Sequence, residues 1–332
     1  MKYFPKKLTM TWIRNSYKEG SLSPEELAGE IVRRAEKYRD YNIWIVAPDL
    51  KRMMDYIEKL PKDMESLPLW GIPFAVKDNI DVAGSPTTAA CPDYAYDPKE
   101  DAAVVKKLIE AGAFPVGKTN LDQFATGLVG TRSPYGEVKN ALDPELISGG
   151  SSSGSAVSVA LGMAAFSLGT DTAGSGRVPA ALNCLVGYKP SLGAWSTKGV
   201  VPACASLDCV TVFANSLEDA EKVNLAARGV DEECCWSREY KEPLPKLPKK
   251  ICLAKDGVTF YGPYADIYKA KWEQAKKRIE DMGITVEYID YTMFSKAASI
   301  LYDGPWVAER WKDLGNFVES HPGKVFPVTE TV

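Results

Sequence analysis

A chain of 332 residues with 45% apolar and 25% charged side chains has the composition of a soluble globular protein, long enough for one large core or two ordinary ones. Its net charge of −4, with both signs interspersed, leaves no basic stripe for nucleic acid or an anionic membrane. Apolar runs are broken by Gly, Ser or charge well short of a membrane span, and the start, Met1-Lys-Tyr-Phe-Pro-Lys-Lys, lacks the apolar core of a signal peptide, so a cytoplasmic location is expected.

The first 60 residues read as helical. Ser23-Pro24-Glu25-Glu26 is a helix start, with Ser as cap and Pro at the first helical position, and Leu27, Ile31, Ala35 and Tyr38 give it one apolar face. Asn42 to Val46 is a short strand, and the apolar run Leu69 to Val76, ending at Lys77, is a buried one. A helix over Asp101 to Ala111 and a strand over Ala113 to Gly117 follow. Ser155 to Phe166 reads as a helix rich in small residues, then comes a long loop-rich region, then a helix over Ser216 to Arg228. Glu242 to Lys250, with three prolines, is a surface connection. Beyond it lie a strand over Lys250 to Ala254, a helix over Tyr264 to Met282 and a strand over Thr285 to Ile289. Such alternation predicts an α/β fold with a largely parallel or mixed sheet. Residues 1–60 are expected to be a helical segment packed on the core and 61–332 the main domain. The ending at Val332 carries no stop signal, so that domain is expected to be incomplete at its C-terminus.

The seven cysteines are odd in number and irregularly spaced, which predicts reduced thiols rather than a disulfide framework. Cys204 and Cys209 have no second pair and no nearby His to complete a zinc set, so they read as small buried apolar side chains, and no metal is expected. The single histidine, His321, lies in a turn signal and reads as a surface loop residue, which leaves a Ser-His-Asp mechanism without a well-placed base.

Three glycine-rich strings carry the chemistry. Ser175 lies in Gly169-Thr-Asp-Thr-Ala-Gly-Ser175-Gly-Arg177, where flanking glycines allow a tight turn and close approach to the hydroxyl. Thr172, Ala173, Gly174 and Ser175 can present backbone N–H groups as an oxyanion hole. Asp171 and Arg177 read as a structural ion pair holding that loop. Without a usable histidine, a desolvated lysine is the natural base, because burial disfavours its charged form. Lys77, in Gly71-Ile-Pro-Phe-Ala-Val-Lys77-Asp-Asn, ends an apolar run; by itself it reads better as the partner of Asp78 at a strand end. Ser151, in Gly149-Gly-Ser151-Ser-Ser-Gly-Ser155, reads by itself as a linker or a helix cap.

Taken together, these strings resemble the amidase signature family over about Leu69 to Asn215, including the 24-residue separation of Ser151 and Ser175. Ser153, where many members have Gly, is a mild departure. The resemblance implies the amidase-signature fold, a large mixed central β-sheet covered by helices on both faces. It implies Ser175 as nucleophile, Ser151 as proton shuttle and Lys77 as general base, a cis peptide at Gly150-Ser151, no cofactor, and a homodimer. Two further strings look like the allophanate hydrolase branch of that family: Thr119-Asn-Leu-Asp-Gln-Phe-Ala-Thr-Gly127-Leu-Val-Gly-Thr-Arg132, and Leu301-Tyr302-Asp-Gly-Pro-Trp-Val-Ala-Glu-Arg310-Trp. They imply that Gly127, Tyr302 and Arg310 bind substrate, the last two through a carboxylate. They also imply allophanate as substrate, in urea degradation, and coupling to a biotin-dependent urea carboxylase, fused or separate; no biotin-attachment motif is present in this sequence. The alternatives are an amidase of other small-amide specificity or a glutamyl-tRNA amidotransferase-like subunit. A more distant one is nucleotide binding, since Gly112-Ala-Phe-Pro-Val-Gly117-Lys118-Thr119 matches the phosphate-loop spacing, although a helix precedes it where a strand is needed.

Overall fold

The computed structural model describes residues 2–241 and 246–332, without the side chains of 302 and 303. The described chain forms two compact units, one of Met1–Tyr240 with Glu309–Val332, the other of Lys241–Ala308.

The larger unit begins with α1 (Met10–Lys18) and α2 (Pro24–Lys37). Ser23 caps α2 in a full capping box: its hydroxyl accepts from Glu26 N–H while the Glu26 carboxylate accepts from Ser23 N–H. Leu27, Ala28, Ile31 and Ala35 form its buried face. Then come β1 (Trp44–Val46), α3 (Leu50–Ile57), β2 (Pro73–Lys77), α4 (Ala103–Glu110) and β3 (Phe114–Thr119). After a long connection follow α5 (Ser153–Ala160), β4 (Phe166–Asp171), α6 (Val178–Leu182), β5 (Val186–Tyr188), β6 (Cys209–Ala214) and α7 (Leu217–Ala227).

Six strands make one mixed sheet in the order β1-β3-β2-β4-β6-β5. β3, β2 and β4 run parallel at its centre, and β1, β6 and β5 are antiparallel to their neighbours. β2, β4 and β6 are buried at every position, as expected of strands covered on both faces. α5 is buried all round, and its small side chains, SGSAVSVA, let it lie close to the sheet.

The expected helix over Ser155 to Phe166 ends early. It stops at Ala160, Gly162 takes a left-handed turn, and Phe166 opens β4. The expected loop-rich region contains β4, β5 and β6, half of the sheet. A continuous run of small and apolar residues shows neither a period of 3.6 nor of 2, so burial on all sides hid both boundaries.

Phe74 on β2 and Phe166 on β4 are directly paired across the strands and fully buried, with ring centroids 5.2 Å apart and planes 3° from parallel. Phe166→Ala is expected to cost about 3–5 kcal/mol through lost contact and the cavity left behind. Chemical denaturation checks this, and a loss under ~1 kcal/mol would show that the pair does not anchor the sheet centre.

The smaller unit has β7 (Lys250–Ala254), α8 (Ala265–Asp281), β8 (Thr285–Ile289) and α9 (Thr292–Asp303), with β7 and β8 paired in parallel. α10 (Pro305–Ser320) and α11 (Pro327–Thr331) follow, and from Glu309 onward the chain is again part of the larger unit. There Leu314 and Val325 join Ala89, Cys91, Phe124 and Val201 in a second apolar cluster. Tyr94 packs edge-on against both Phe124 and Phe317, at 5.2 and 5.1 Å between centroids. Of the expected surface connection, residues 242–245 lie outside the described residues. Among the described residues no helix is long and apolar enough to cross a membrane.

Candidate active site

Lys77 ends β2 and Asp171 ends β4, two parallel neighbours, so both residues emerge at the same edge of the sheet. Loops beyond the carboxyl ends of parallel strands are where α/β folds place their chemistry. The Lys77 side chain is fully buried, and its Nζ lies 2.8 Å from Ser151 Oγ and 2.7 Å from Thr170 Oγ1. Lys77 therefore turns away from its neighbour Asp78, which faces Lys118 at 3.3 Å instead. Burial pushes the Lys77 amine down to about 7, against the opposing pull of the carboxylates of Asp122, Asp208 and Asp171. A lysine at that value supplies a neutral amine near neutral pH.

Ser151 sits just ahead of α5, and the peptide Gly150-Ser151 is cis. The next serine fastens this segment to β4. Ser152 Oγ donates to Thr170 O at 3.1 Å and accepts from Thr170 N–H at 3.3 Å. Ser155 Oγ adds a bond to Leu168 O at 2.9 Å. The run that reads as a flexible linker is thus buried and tied to the sheet by its own hydroxyls.

Ser175 lies in the turn after β4 and is buried. Asp171 shapes that turn, accepting from Gly174 N–H at 2.7 Å and Gly176 N–H at 3.0 Å. Arg177 donates to both Asp171 oxygens at 2.9 and 3.0 Å. Burial pushes the Asp171 carboxyl up, but Arg177 and the two amides outweigh it and hold the group below its ordinary value. Since the Gly174 amide is already engaged by Asp171, an oxyanion would be left to Thr172, Ala173 and Ser175 from the expected set of four. Among the described residues no hydrogen bond joins the Ser175 and Ser151 hydroxyls.

Gly127 follows the turn Phe124–Thr126, and Arg310 on α10 reaches that turn: its Nη2 donates to Phe124 O at 3.3 Å and to Thr126 Oγ1. The Tyr302 side chain lies outside the described residues. His321 stacks on Phe317 and bonds Ser320 Oγ and Phe317 O, and none of these partners is a serine or lysine of this site.

The phosphate-loop match dissolves here. Phe114 to Thr119 is β3, not a loop, and Lys118 is buried against Asp78, Pro86 O and Thr87 Oγ1. Burial lowers the Lys118 amine, with Asp78 pulling the other way.

Three side chains at the site are missed by sequence reasoning. Thr170 lies inside the glycine-rich string of Ser175 and holds the lysine. Asp208 is almost fully buried, accepts from Ala203 N–H at 2.8 Å and from Thr172 Oγ1, and is pushed up by burial. Asp122 sits five residues ahead of Gly127, in the string that singles out only that glycine.

A family model described as Amidase matches residues 26–324. Urea amidolyase of Saccharomyces cerevisiae is 47% identical over 288 residues, covering 85% of this chain and 16% of that protein. A glutamyl-tRNA(Gln) amidotransferase subunit of Methanosarcina mazei is 35% identical over 301 residues, covering 89% of this chain and 62% of its own length. Among solved structures, Kluyveromyces lactis allophanate hydrolase superposes with a TM-score of 0.86 at 40% identity, covering 98% of this chain and 54% of that one.

Proposed function

The chain belongs to the amidase signature family, and from that premise we propose that it is a serine amidohydrolase that cleaves the terminal C–N bond of allophanate and releases ammonia. The observation that carries the chemistry is a fully buried Lys77 amine of lowered basicity, 2.8 Å from Ser151 Oγ and 2.7 Å from Thr170 Oγ1 on the strand that leads into the glycine turn of Ser175. The substrate rests on similarity: 47% and 49% identity to two urea amidolyases, against 35% to 43% to amidotransferase subunits.

In this mechanism neutral Lys77 takes the proton of Ser151, Ser151 takes that of Ser175, and Ser175 Oγ attacks the terminal carbamoyl carbon. The amides of Thr172, Ala173 and Ser175 receive the developing oxyanion. The protonated relay returns its proton to the leaving nitrogen, the C–N bond breaks, and ammonia departs. Water, deprotonated along the same relay, hydrolyses the carbamoyl-enzyme to N-carboxycarbamate and free Ser175. Asp171 and Arg177 keep the nucleophile turn in shape.

Arg310 and Tyr302 bind the substrate carboxylate and Gly127 contacts the substrate, as in the branch the sequence resembles. A guanidinium matches a carboxylate in a two-pronged bond, and Arg310 reaches the turn ahead of Gly127. Arg310→Ala is expected to lower kcat/KM for allophanate about 10- to 100-fold, mostly through KM, with little effect on uncharged amides. Steady-state kinetics on both substrate types check this, and an equal loss on both would remove the carboxylate role.

We extend the proposal to a homodimer, a cytoplasmic location, and work beside a biotin-dependent urea carboxylase, fused or separate. The odd number and irregular spacing of the seven cysteines support a reducing compartment. The similarity to urea amidolyase supports the carboxylase link, although the match spans 16% of that protein.

The deciding test is ammonia release from allophanate, with urea, biuret and malonamide for comparison and no ATP or metal. Marked preference for allophanate supports the reading. Turnover of neutral amides alone would keep the chemistry and discard the substrate.

A further inference from the structure

We propose that Asp122 is a positioning residue of this site: one buried carboxylate that locks the loop carrying Gly127 to the segment carrying Ser151 and acts electrostatically on Lys77. The inference rests on the assignment of Lys77, Ser151 and Ser175 above.

Asp122 follows β3 and is fully buried. Its Oδ2 accepts from Val129 N–H at 3.2 Å and Gly130 N–H at 3.1 Å, and its Oδ1 from Arg132 N–H at 2.9 Å. Three amides of one loop thus converge on a single side chain. Arg132 also returns a bond from its Nη1 to Thr126 O at 3.2 Å, closing the loop on the turn that Arg310 reaches. On the other side, the Asp122 backbone N–H donates to Ser151 O at 3.1 Å. The same residue therefore bonds the substrate-side loop through its carboxylate and the shuttle serine through its backbone.

The glycines around it fit this role. A Cβ on Gly150 would lie 2.1 Å from Asp122 Oδ2, and a Cβ on Gly127 would lie 2.8 Å from it. The carboxylate is wedged between the two glycines, so both strings need glycine there for the carboxylate to fit, apart from any catalytic use of glycine. Leu128, in the same loop, lies 3.5 Å from where a Cβ of Gly174 would stand, so the clamped loop borders the nucleophile turn.

The charge matters as well as the shape. The carboxylates that act on the Lys77 amine through their charge are Asp122 from beyond β3, Asp208 from ahead of β6 and Asp171 at the end of β4, and all three favour its protonated form. An Asn at 122 would keep the size, remove the charge, and offer one acceptor oxygen to three amides.

The experiment measures the rate of covalent labelling of Ser175 by a fluorophosphonate across pH, in the full chain, for wild type, Asp122→Asn and Asp122→Glu. In wild type the rate should rise through about pH 7, where the Lys77 amine is freed. In Asp122→Asn the plateau rate should fall at least about 10-fold and the rise should move to lower pH by roughly half a unit or more, because a carboxylate that favoured the ammonium is gone. Asp122→Glu should return the rise to its wild-type pH while the plateau stays low, since the longer side chain does not fit between the glycines. A rise that stays in place in Asp122→Asn overturns the proposal. No labelling of wild-type Ser175 would instead overturn the active-site assignment. If neither variant folds, hydrogen exchange decides in the wild-type chain: the amides of Val129, Gly130 and Arg132 should exchange at least about 100-fold slower than unprotected amides, and fast exchange at all three overturns the clamp.

Discussion

Ser175→Ala is expected to lower ammonia release from allophanate by about four to six orders of magnitude, because in the proposed mechanism the Ser175 hydroxyl forms the covalent intermediate. The fold should survive. Ser175 lies in a turn held by Asp171 through the amides of Gly174 and Gly176 and through Arg177, none of which needs the serine hydroxyl. Allophanate should therefore still bind, and thermal unfolding should move by only a few degrees. Ammonia release within 100-fold of wild type would mean that Ser175 is not the nucleophile. A variant that is inactive because it is unfolded would say nothing about chemistry, so circular dichroism accompanies the assay.

Lys77→Met should remove activity and stabilise the fold together. The amine stands at about 7 in the folded chain against an ordinary 10.5. The folded state thus binds this proton more weakly than the unfolded chain does. Stability from this group is lost as pH falls from about 10.5 towards 7, and below 7 the penalty is constant, at an upper bound of about 5 kcal/mol. Methionine has nearly the same length and no charge to desolvate. Lost bonds to Ser151 and Thr170 offset part of the gain. The expected net result is a variant about 1–3 kcal/mol more stable than wild type at pH 7, the difference shrinking towards pH 10. Turnover should fall by at least about 10³-fold. In wild type, kcat/KM should rise with pH through about 7 as Lys77 becomes neutral. A stability difference that does not vary between pH 7 and 10 would contradict a depressed lysine. Retained turnover would remove Lys77 as the base.

Local signals are enough where an element ends at a residue with its own chemistry. Ser23 and Glu26 cap α2 by direct bonds within four residues, and β2 ends at the lysine where its apolar run ends. The three glycine-rich strings and their spacing are visible because the turn chemistry is written into neighbouring residues. Local pattern fails between Ser155 and Ala214, where β4, β5 and β6 read as helix end and loop. These strands are legible only through their neighbours: β4 is paired with β2 on one side and β6 on the other, from positions nearly a hundred and about forty residues away. β4 and β6, buried at every position, have no polar face to mark their period, and β5 is only three residues long.

The sequence by itself determined the residue types of the chemistry: a lysine at the end of an apolar run, two serines in glycine-rich turns, and no histidine suited to replace them. Only the tertiary structure decided which of those residues meet. Lys77 bonds Ser151 and Thr170 rather than its neighbour Asp78, because β2 and β4 are parallel neighbours that bring distant strand ends to one edge. Asp78 turns to Lys118 for the same reason, since β3 lies beside β2. The Gly-Lys-Thr string became a strand because its place in the sheet outweighs its likeness to a loop. Whether a lysine is an ion-pair partner or a base is a matter of which carboxylates and hydroxyls surround it in a dry interior, and those arrive from sequence positions that no local pattern connects.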